Sequence, residues 1–292
     1  MPEAPETTEL IERRAVERVQ VAIGALGDAP LQVSSWGIAV EAPIAITLNG
    51  APWTVMLATP SDVEDLAIGL ALTERVITDA RAVTQVAAVE FLRDISVDLV
   101  VPADQLDQSA MRSRALIGNT ACGMCGLESL AQLHELADSR TTAQKLNGDA
   151  HRRAANITDA AILSAFSSLP TRQPLNRETH SVHAAAWCEP SGAIVLVRED
   201  VGRHNALDKL IGALARREML THPGFVVMSS RCSYELVFKA AAANCMLLAT
   251  ISAPTSMALE WSRALQLPVV CRIGGPSDGR VVRFVDEAAG AS

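Results

Sequence analysis

Basic residues are in deficit: 25 Lys and Arg stand against 33 Asp and Glu, a formal charge of −8 over 292 residues. Nucleic-acid binding rests on neutralising phosphates with Lys and Arg, so no broad DNA or RNA surface is expected. A small anionic ligand is not excluded, because one Arg and a few backbone N–H groups at a helix start can hold a phosphate. Long apolar runs are also missing. The uncharged stretch Ala240–Leu259 carries Asn244, Thr250, Ser252, Pro254, Thr255 and Ser256, which reads as helix, strand and turn through a core rather than a bilayer span. The opening "MPEAPETTELIERRAVERVQ" mixes both charges without an apolar centre. No secretory signal is read there, and a cytoplasmic location with reduced thiols is expected. Internal repeats and low-complexity tracts are absent. Apolar residues are abundant, at 49% hydrophobic against 20% charged, which marks a folded chain large enough for one α/β domain or two domains.

Residues 1–30 read as a flexible charged lead-in, 31–140 as a β-rich α+β region, 141–157 as a polar linker and 158–292 as an α/β core. In "PIAITLNGAPWTVMLA", Asn49-Gly50 between two β-rich runs predicts a hairpin, since both positions tolerate positive φ. Ser61 followed by Glu64 predicts a boxed helix start. Strands are expected in "VTQVAAVEFL" and "ISVDLVV". A helix is expected near Asp159 to Leu169, and then the pattern alternates. Strands "VHAAAW", "AIVLVRE", "GFVVMSS", "CMLLATIS" and "PVVCRI" interleave with helices "RHNALDKLIGALARR", "YELVFKAAAA" and "SMALEWSRAL". Such alternation predicts a parallel or mixed sheet covered by helices. Ligands of these sheets sit beyond the carboxyl ends of the strands, which singles out the loops 198–205, 229–235 and 252–256, and the segment 271–280.

Outside that core lies "GNTACGMCGLESL", with Cys122 and Cys125 three apart and each followed by glycine. If a helix starts near Cys122, both sulfurs share one face with Cβ atoms about 5–6 Å apart. The unpaired N–H groups there would favour a thiolate. Two unremarkable loop cysteines remain a possible reading. Structural zinc needs a second close Cys or His pair, whereas Cys188, Cys232, Cys245 and Cys271 are isolated and His180 and His183 have no nearby cysteine in sequence. Zinc deaminase chemistry needs an upstream His-x-Glu and Pro-Cys-x-x-Cys, and neither is present. Thiol–disulfide exchange stays open, because Cys-Gly-x-Cys fits it too.

The segments "ACGMCG", "EDVGRHNALDKLIG", "SSRCSYELVFKAA" and "ISAPTSMALE", with "EAPIAITLNG", "TPSDVEDLAIG" and "VHAAAW", resemble one family, the formate dehydrogenase accessory sulfurtransferases (FdhD). The resemblance covers roughly residues 38 to 285. It implies a cytidine-deaminase-like α/β/α core with a mixed sheet, lacking the deaminase zinc ligands, plus a smaller N-terminal β-rich α+β region, commonly as a homodimer. It also implies a sulfur carrier. A cysteine desulfurase supplies sulfur as a persulfide on the Cys-x-x-Cys. The sulfur then passes to molybdenum bis(molybdopterin guanine dinucleotide), the bound substrate, before that cofactor enters formate dehydrogenase. No permanently bound metal is implied.

Carried onto this chain, Cys122 takes the persulfide position and Cys125 its neighbour. The family's cofactor-binding segment falls on Val270, Cys271, Arg272, Ile273, Gly274 and Gly275, extending to Arg280. A short basic-glycine stretch is usual there, and this chain has the longer "RIGGPSDGRVVRF". A cofactor of that kind carries pyrophosphates and guanines. Asp200 would accept from a guanine or pterin N–H edge, or else cap its helix and pair with Arg203. N–H groups near Gly202, with Arg203 and Arg231, would hold phosphate. His204 would move a proton or brace the loop, while Cys232 and Cys271 read as apolar fillers. Two other functions stay open, a dithiol oxidoreductase and a pterin-cofactor chaperone that transfers no sulfur.

Overall fold

The computed structural model describes residues 15–23, 32–91, 94–111, 154, 156–275 and 279–284. Three sheets organise them. The first is an antiparallel pair, β1 (Val16–Ile23) and β2 (Gln32–Ala39), so part of the expected flexible lead-in is a strand. Its support comes from far along the chain. Arg18 pairs with Glu178 at 3.2 Å, the Trp36 and His180 rings lie 5.4 Å apart, and a Cβ on Gly37 would sit 2.9 Å from the Glu178 carbonyl. No local pattern announces such partners.

The second sheet has the order β4-β3-β6-β5, built from β3 (Ala42–Leu48), β4 (Ala51–Ala58), β5 (Gln85–Phe91) and β6 (Asp94–Val100). Asn49 and Gly50 take φ of 53° and 76°, closing the hairpin as their types predict. Alternate residues Ile44, Ile46, Leu48, Ile95, Val97 and Leu99 form one buried face under α1 (Val63–Thr73), which contributes Leu66, Ala67, Leu70 and Ala71. The start of α1 departs from expectation. Asp62 is its N-cap in the left-handed region, with φ 50° and no side-chain cap bond, so no Ser61–Glu64 box forms. The Asp62 carboxylate instead meets Arg198 at 3.1 Å.

The third sheet is the core, six strands in the order β12-β11-β10-β9-β7-β8. They are β7 (His183–Cys188), β8 (Ile194–Asp200), β9 (Phe225–Met228), β10 (Leu248–Thr250), β11 (Val269–Ile273) and β12 (Arg280–Arg283). β9, β10 and β11 run parallel, and the other pairings are antiparallel. Strand periodicity sorts the side chains between two faces. Ala185, Trp187, Val226, Met228, Leu248 and Val269 pack under α4 (Arg203–Arg216), α5 (Tyr234–Ala242) and α6 (Ser256–Ala264). Ala184, Ala186, Cys188, Phe225, Val227, Ala249 and Val270 face α2 (Asp159–Ser168), which supplies Ile162, Ala165 and Phe166. The result is the expected mixed α/β/α sandwich beside a smaller β-rich region. A short α3 (Pro174–Thr179) precedes β7 and was not expected, nor was β12. Ala154 and Ile157 are buried in this core, so it begins inside the segment read as a linker. The remainder of that linker, residues 141–153 and 155, lies outside the described residues.

The two regions are joined at a helix crossing. A Cβ on Gly69 of α1 would lie 1.8 Å from the Asp208 carbonyl, and one on Gly212 of α4 would lie 1.9 Å from the Asp65 carbonyl. Only glycine permits backbones that close. Ion pairs flank the crossing: Asp65 accepts from Arg198 at 2.7 Å and Arg216 at 2.9 Å, and Asp208 from Thr73 at 2.7 Å and Lys239 at 2.9 Å. Among the described residues, no helix is long and apolar enough to cross a membrane.

Candidate functional site

Cys122 and Cys125 lie outside the described residues. The other four cysteines are free and buried. Burial pushes the thiols of Cys188, Cys232 and Cys245 up to about 12, with Cys271 adding to the effect at Cys232. Burial raises Cys271 as well. These groups are thiols rather than thiolates at neutral pH, and they pack as small apolar side chains. Among the described residues, no group of three or more His, Cys, Asp or Glu could hold a metal ion.

The register places the singled-out loops on one edge. His183 at the start of β7 pairs with Asp200 at the end of β8, and Ala185 pairs with Met228 at the end of β9. The loops leaving β9 and β10 meet through a bridge between Cys232 and Pro254, and Thr255 N–H donates to the Cys232 carbonyl at 3.1 Å. Thr255 then caps α6 with its hydroxyl.

Asp200 starts this edge and is wholly buried, with no exposed surface. Its carboxylate accepts from Thr59 N–H at 3.0 Å, Gly202 N–H at 2.8 Å and Asn205 Nδ2 at 3.0 Å, and it meets Lys209 Nζ at 2.6 Å. Lys209 is equally buried and donates to the Thr59 carbonyl at 2.9 Å. A carboxylate offers about four acceptor positions, and four donors occupy them. Asp200 therefore organises its turn and is closed to a guanine or pterin edge, and its ionic partner is Lys209 rather than Arg203. Gly202 is the N-cap of α4, and its own N–H is committed to Asp200. A phosphate at this helix start would meet the unpaired N–H groups that follow.

Arg203 and His204 occupy the first turn of α4. The Arg203 Nε is buried with no hydrogen-bond partner among the described residues. His204 Nε2 lies 2.7 Å from Glu235 Oε2 and 3.2 Å from Ser233 Oγ, so the starts of α4 and α5 are tied through one ring nitrogen. Burial would raise the Glu235 carboxyl, but the hydrogen bond and charge of His204, then Lys239 and Arg203, outweigh it and hold it below the usual range. Tyr234 is pushed up to about 12 by burial and the charges of Glu235 and Glu74, and its hydroxyl also hydrogen-bonds Glu235. His183 is half-buried, and burial and then Arg203 hold its imidazole below the ordinary value. Arg231 stands exposed in the neighbouring loop.

The C-terminal segment divides. Val270 and Cys271 are buried within β11, so their side chains present no ligand surface. Arg272 is half-buried, and Ile273, Gly274 and Arg280 are exposed where β11 ends and β12 begins, with Gly275 half-buried beside them. Gly274 has φ 85°. The ends of β8 and β11 are four strand spacings apart, roughly 19 Å. The edge thus has two polar ends, Arg203 with His204 at one and Arg272 with Arg280 at the other.

Sequence reasoning missed Lys209, Thr59, Ser233 and Glu235. Lys209 had a signal, a cation set among Leu207, Leu210 and Ile211 on a buried helix face. Thr59 had none, being 150 residues from Lys209.

The model of the FdhD/NarQ family matches residues 39–278. A "Sulfur carrier protein FdhD" of Xanthomonas euvesicatoria pv. vesicatoria is 40% identical over 233 residues, covering 80% of this chain and 79% of the relative. One from Variovorax paradoxus is 38% identical over 258 residues, covering 88% and 85%. A crystal structure described as a formate dehydrogenase accessory protein, from Desulfotalea psychrophila, superposes with a TM-score of 0.64 at 19% identity over 93% of this chain and 98% of the other, so it shares the fold. Matched by the family model across most of its length, and by relatives near 40% identity over four fifths of both chains, this chain belongs to the FdhD/NarQ family.

Proposed function

We propose that this protein is a sulfur carrier for formate dehydrogenase, the role its relatives' name states. The observation that carries the reading is the division of its six cysteines. Cys188, Cys232, Cys245 and Cys271 are buried thiols, which leaves Cys122 and Cys125 for sulfur chemistry. Cys122 thiolate attacks the outer sulfur of a cysteine desulfurase persulfide, releasing the donor's thiolate and leaving Cys122–S–SH. Attack by the Cys125 thiolate on the Cys122 sulfur then forms a disulfide and expels HS⁻. Two electrons pass from the cysteine pair to the transferred sulfur, and an external thiol reductant resets the pair.

The acceptor in this reading is molybdenum bis(molybdopterin guanine dinucleotide), bound as substrate along the carboxyl edge of the core sheet before it enters formate dehydrogenase. The separation of the two arginine-bearing ends supports an extended ligand with more than one phosphate group. The protein works in the cytoplasm as a homodimer.

Incubation with a cysteine desulfurase and cysteine should add about 32 Da, one sulfur, and Cys122→Ala should lose both that gain and the rescue of formate oxidation in a strain lacking the gene. A dithiol oxidoreductase would gain no sulfur yet cycle a disulfide between Cys122 and Cys125. A chaperone without transfer would bind the cofactor with unchanged mass. Full rescue by Cys122→Ala would overturn the proposal.

A further inference from the structure

Aromatic side chains are scarce in this chain, with 5 Phe, 4 Trp and 1 Tyr in 292 residues, yet Tyr234, Phe238 and Trp261 gather on α5 and α6. Tyr234 and Phe238 stand one turn apart on α5 and are half-buried. Phe238 meets Trp261 of α6 edge-on, with ring centroids 6.2 Å apart. Over the same Phe238 ring lies Arg75, its guanidinium carbon 5.4 Å from the centroid. Arg75 follows the end of α1, where it turns through φ 59° and its N–H returns to the Leu72 carbonyl at 3.1 Å. Leu72, Tyr234 and Phe238 border the core cluster while only partly buried.

The ring attracts the Arg75 cation but leaves its five N–H positions without an acceptor. Among the described residues Arg75 has no side-chain hydrogen bond or ion pair. The carboxylates beside it on α1, α4 and α5 are committed elsewhere. Glu74 and Asp208 meet Lys239 at 3.2 and 2.9 Å, and Glu235 meets His204 at 2.7 Å. Burial holds the Arg75 guanidinium below its ordinary value, with no neighbouring carboxylate to offset it. A half-buried cation without a counter-ion thus sits on half-buried aromatic surface, and Arg with aromatic side chains is the combination that anchors protein interfaces. From this geometry we propose that the end of α1 and the adjoining faces of α5 and α6 dock an acidic peptide segment of another protein, its carboxylate on Arg75 and a neighbouring apolar side chain on Phe238 and Tyr234. One guanidinium matches the planar fork of one carboxylate. A phosphate would call for a second cation, and Lys239 is already spent on Asp208 and Glu74. The assignment does not depend on the sulfur reading above.

A capped Ser-Leu-Glu-Leu-Ser peptide is the probe, titrated into the full chain alongside its Gln counterpart. The Glu peptide should shift the Arg75 Nε–H signal in nitrogen-15 spectra. It should bind about tenfold more tightly than the Gln peptide, the scale of one charge-assisted hydrogen bond. Arg75→Gly should erase that difference and still fold, because glycine takes φ 59° without strain. If it does not fold, Arg75→Gln carries the same test. Equal affinity for the two peptides in the wild type, or a difference that survives loss of the guanidinium, overturns the proposal. Inorganic phosphate that shifts the same signal at a lower concentration than the Glu peptide overturns it too, making the site one for a free anion. Sedimentation in which a wild-type dimer falls to monomer in Arg75→Gly would seat a second copy of this chain on the surface and overturn the peptide reading.

Discussion

Lys209 is the residue whose loss should be felt most widely. It is fully buried against Asp200 and the Thr59 carbonyl. Lys209→Met would leave a carboxylate without its counter-ion, a change that costs about 3–5 kcal/mol in buried pairs. Urea denaturation should show a correspondingly lower midpoint, and adding Asp200→Asn should recover most of it, since the stranded charge is then gone. If the double variant is no better than the single, the pair is not the source of the loss. At this scale the sequence was uneven. The hold of Asp200 on its own turn, through Gly202 N–H and Asn205 Nδ2, was legible because that chemistry is local. The inward turn of the Asp200 carboxylate was not, because Thr59, which donates to it, lies 141 residues away in sequence.

Elements were more legible than their edges. The alternating strands and helices of the core fall where periodicity puts them, because each buries one face and 2.0 or 3.6 residue spacing survives in the sequence. β10 is shorter than "CMLLATIS" suggests: α5 ends at Ala242, Asn244 turns through φ 58° and Cys245 N–H bonds back to the Ala240 carbonyl, so pairing begins only at Leu248. β1 was hidden because Glu17, Arg18 and Gln20 interrupt its apolar residues and its supports are α3 and its flank. The contact between α1 and α4 belongs to this scale too. Gly69→Ala or Gly212→Ala would gain about 1 kcal/mol of helix propensity, yet the new methyl falls within 2 Å of a carbonyl oxygen. Overpacking of 1–3 kcal/mol or more should dominate (approximately; backbone must move). Thermal melts should show both variants less stable than wild type, and a rise in Tm would show that the helices can part cheaply.

For the whole molecule, buried thiols predict an alkaline limit. Below the ordinary thiol value of 9.0, Cys188, Cys232 and Cys245 are protonated in both folded and unfolded chains, and pH has no leverage through them. Above it the unfolded chain sheds those protons while the folded chain retains them up to about 12. The unfolded state then binds fewer protons, so stability falls as pH rises through this window. Urea midpoints at about pH 8 and about pH 10 should show the decline, and replacing the three cysteines by alanine should flatten it. A mixed sheet covered by helices was readable in the order of elements, but the union of the two regions was not, because it depends on two glycines 143 positions apart.

That union bears on how the protein is made. While a ribosome is still translating residues before Arg203, α1 has its own sheet but nothing to lie against along the seam of Gly69, and the Asp65 carboxylate awaits Arg198 and Arg216. The first region thus emerges with an unfilled groove and a buried-to-be charge lacking its cations. Nascent chains stalled ahead of α4 should remain open to protease, and closure should arrive as a single late event once that helix is released.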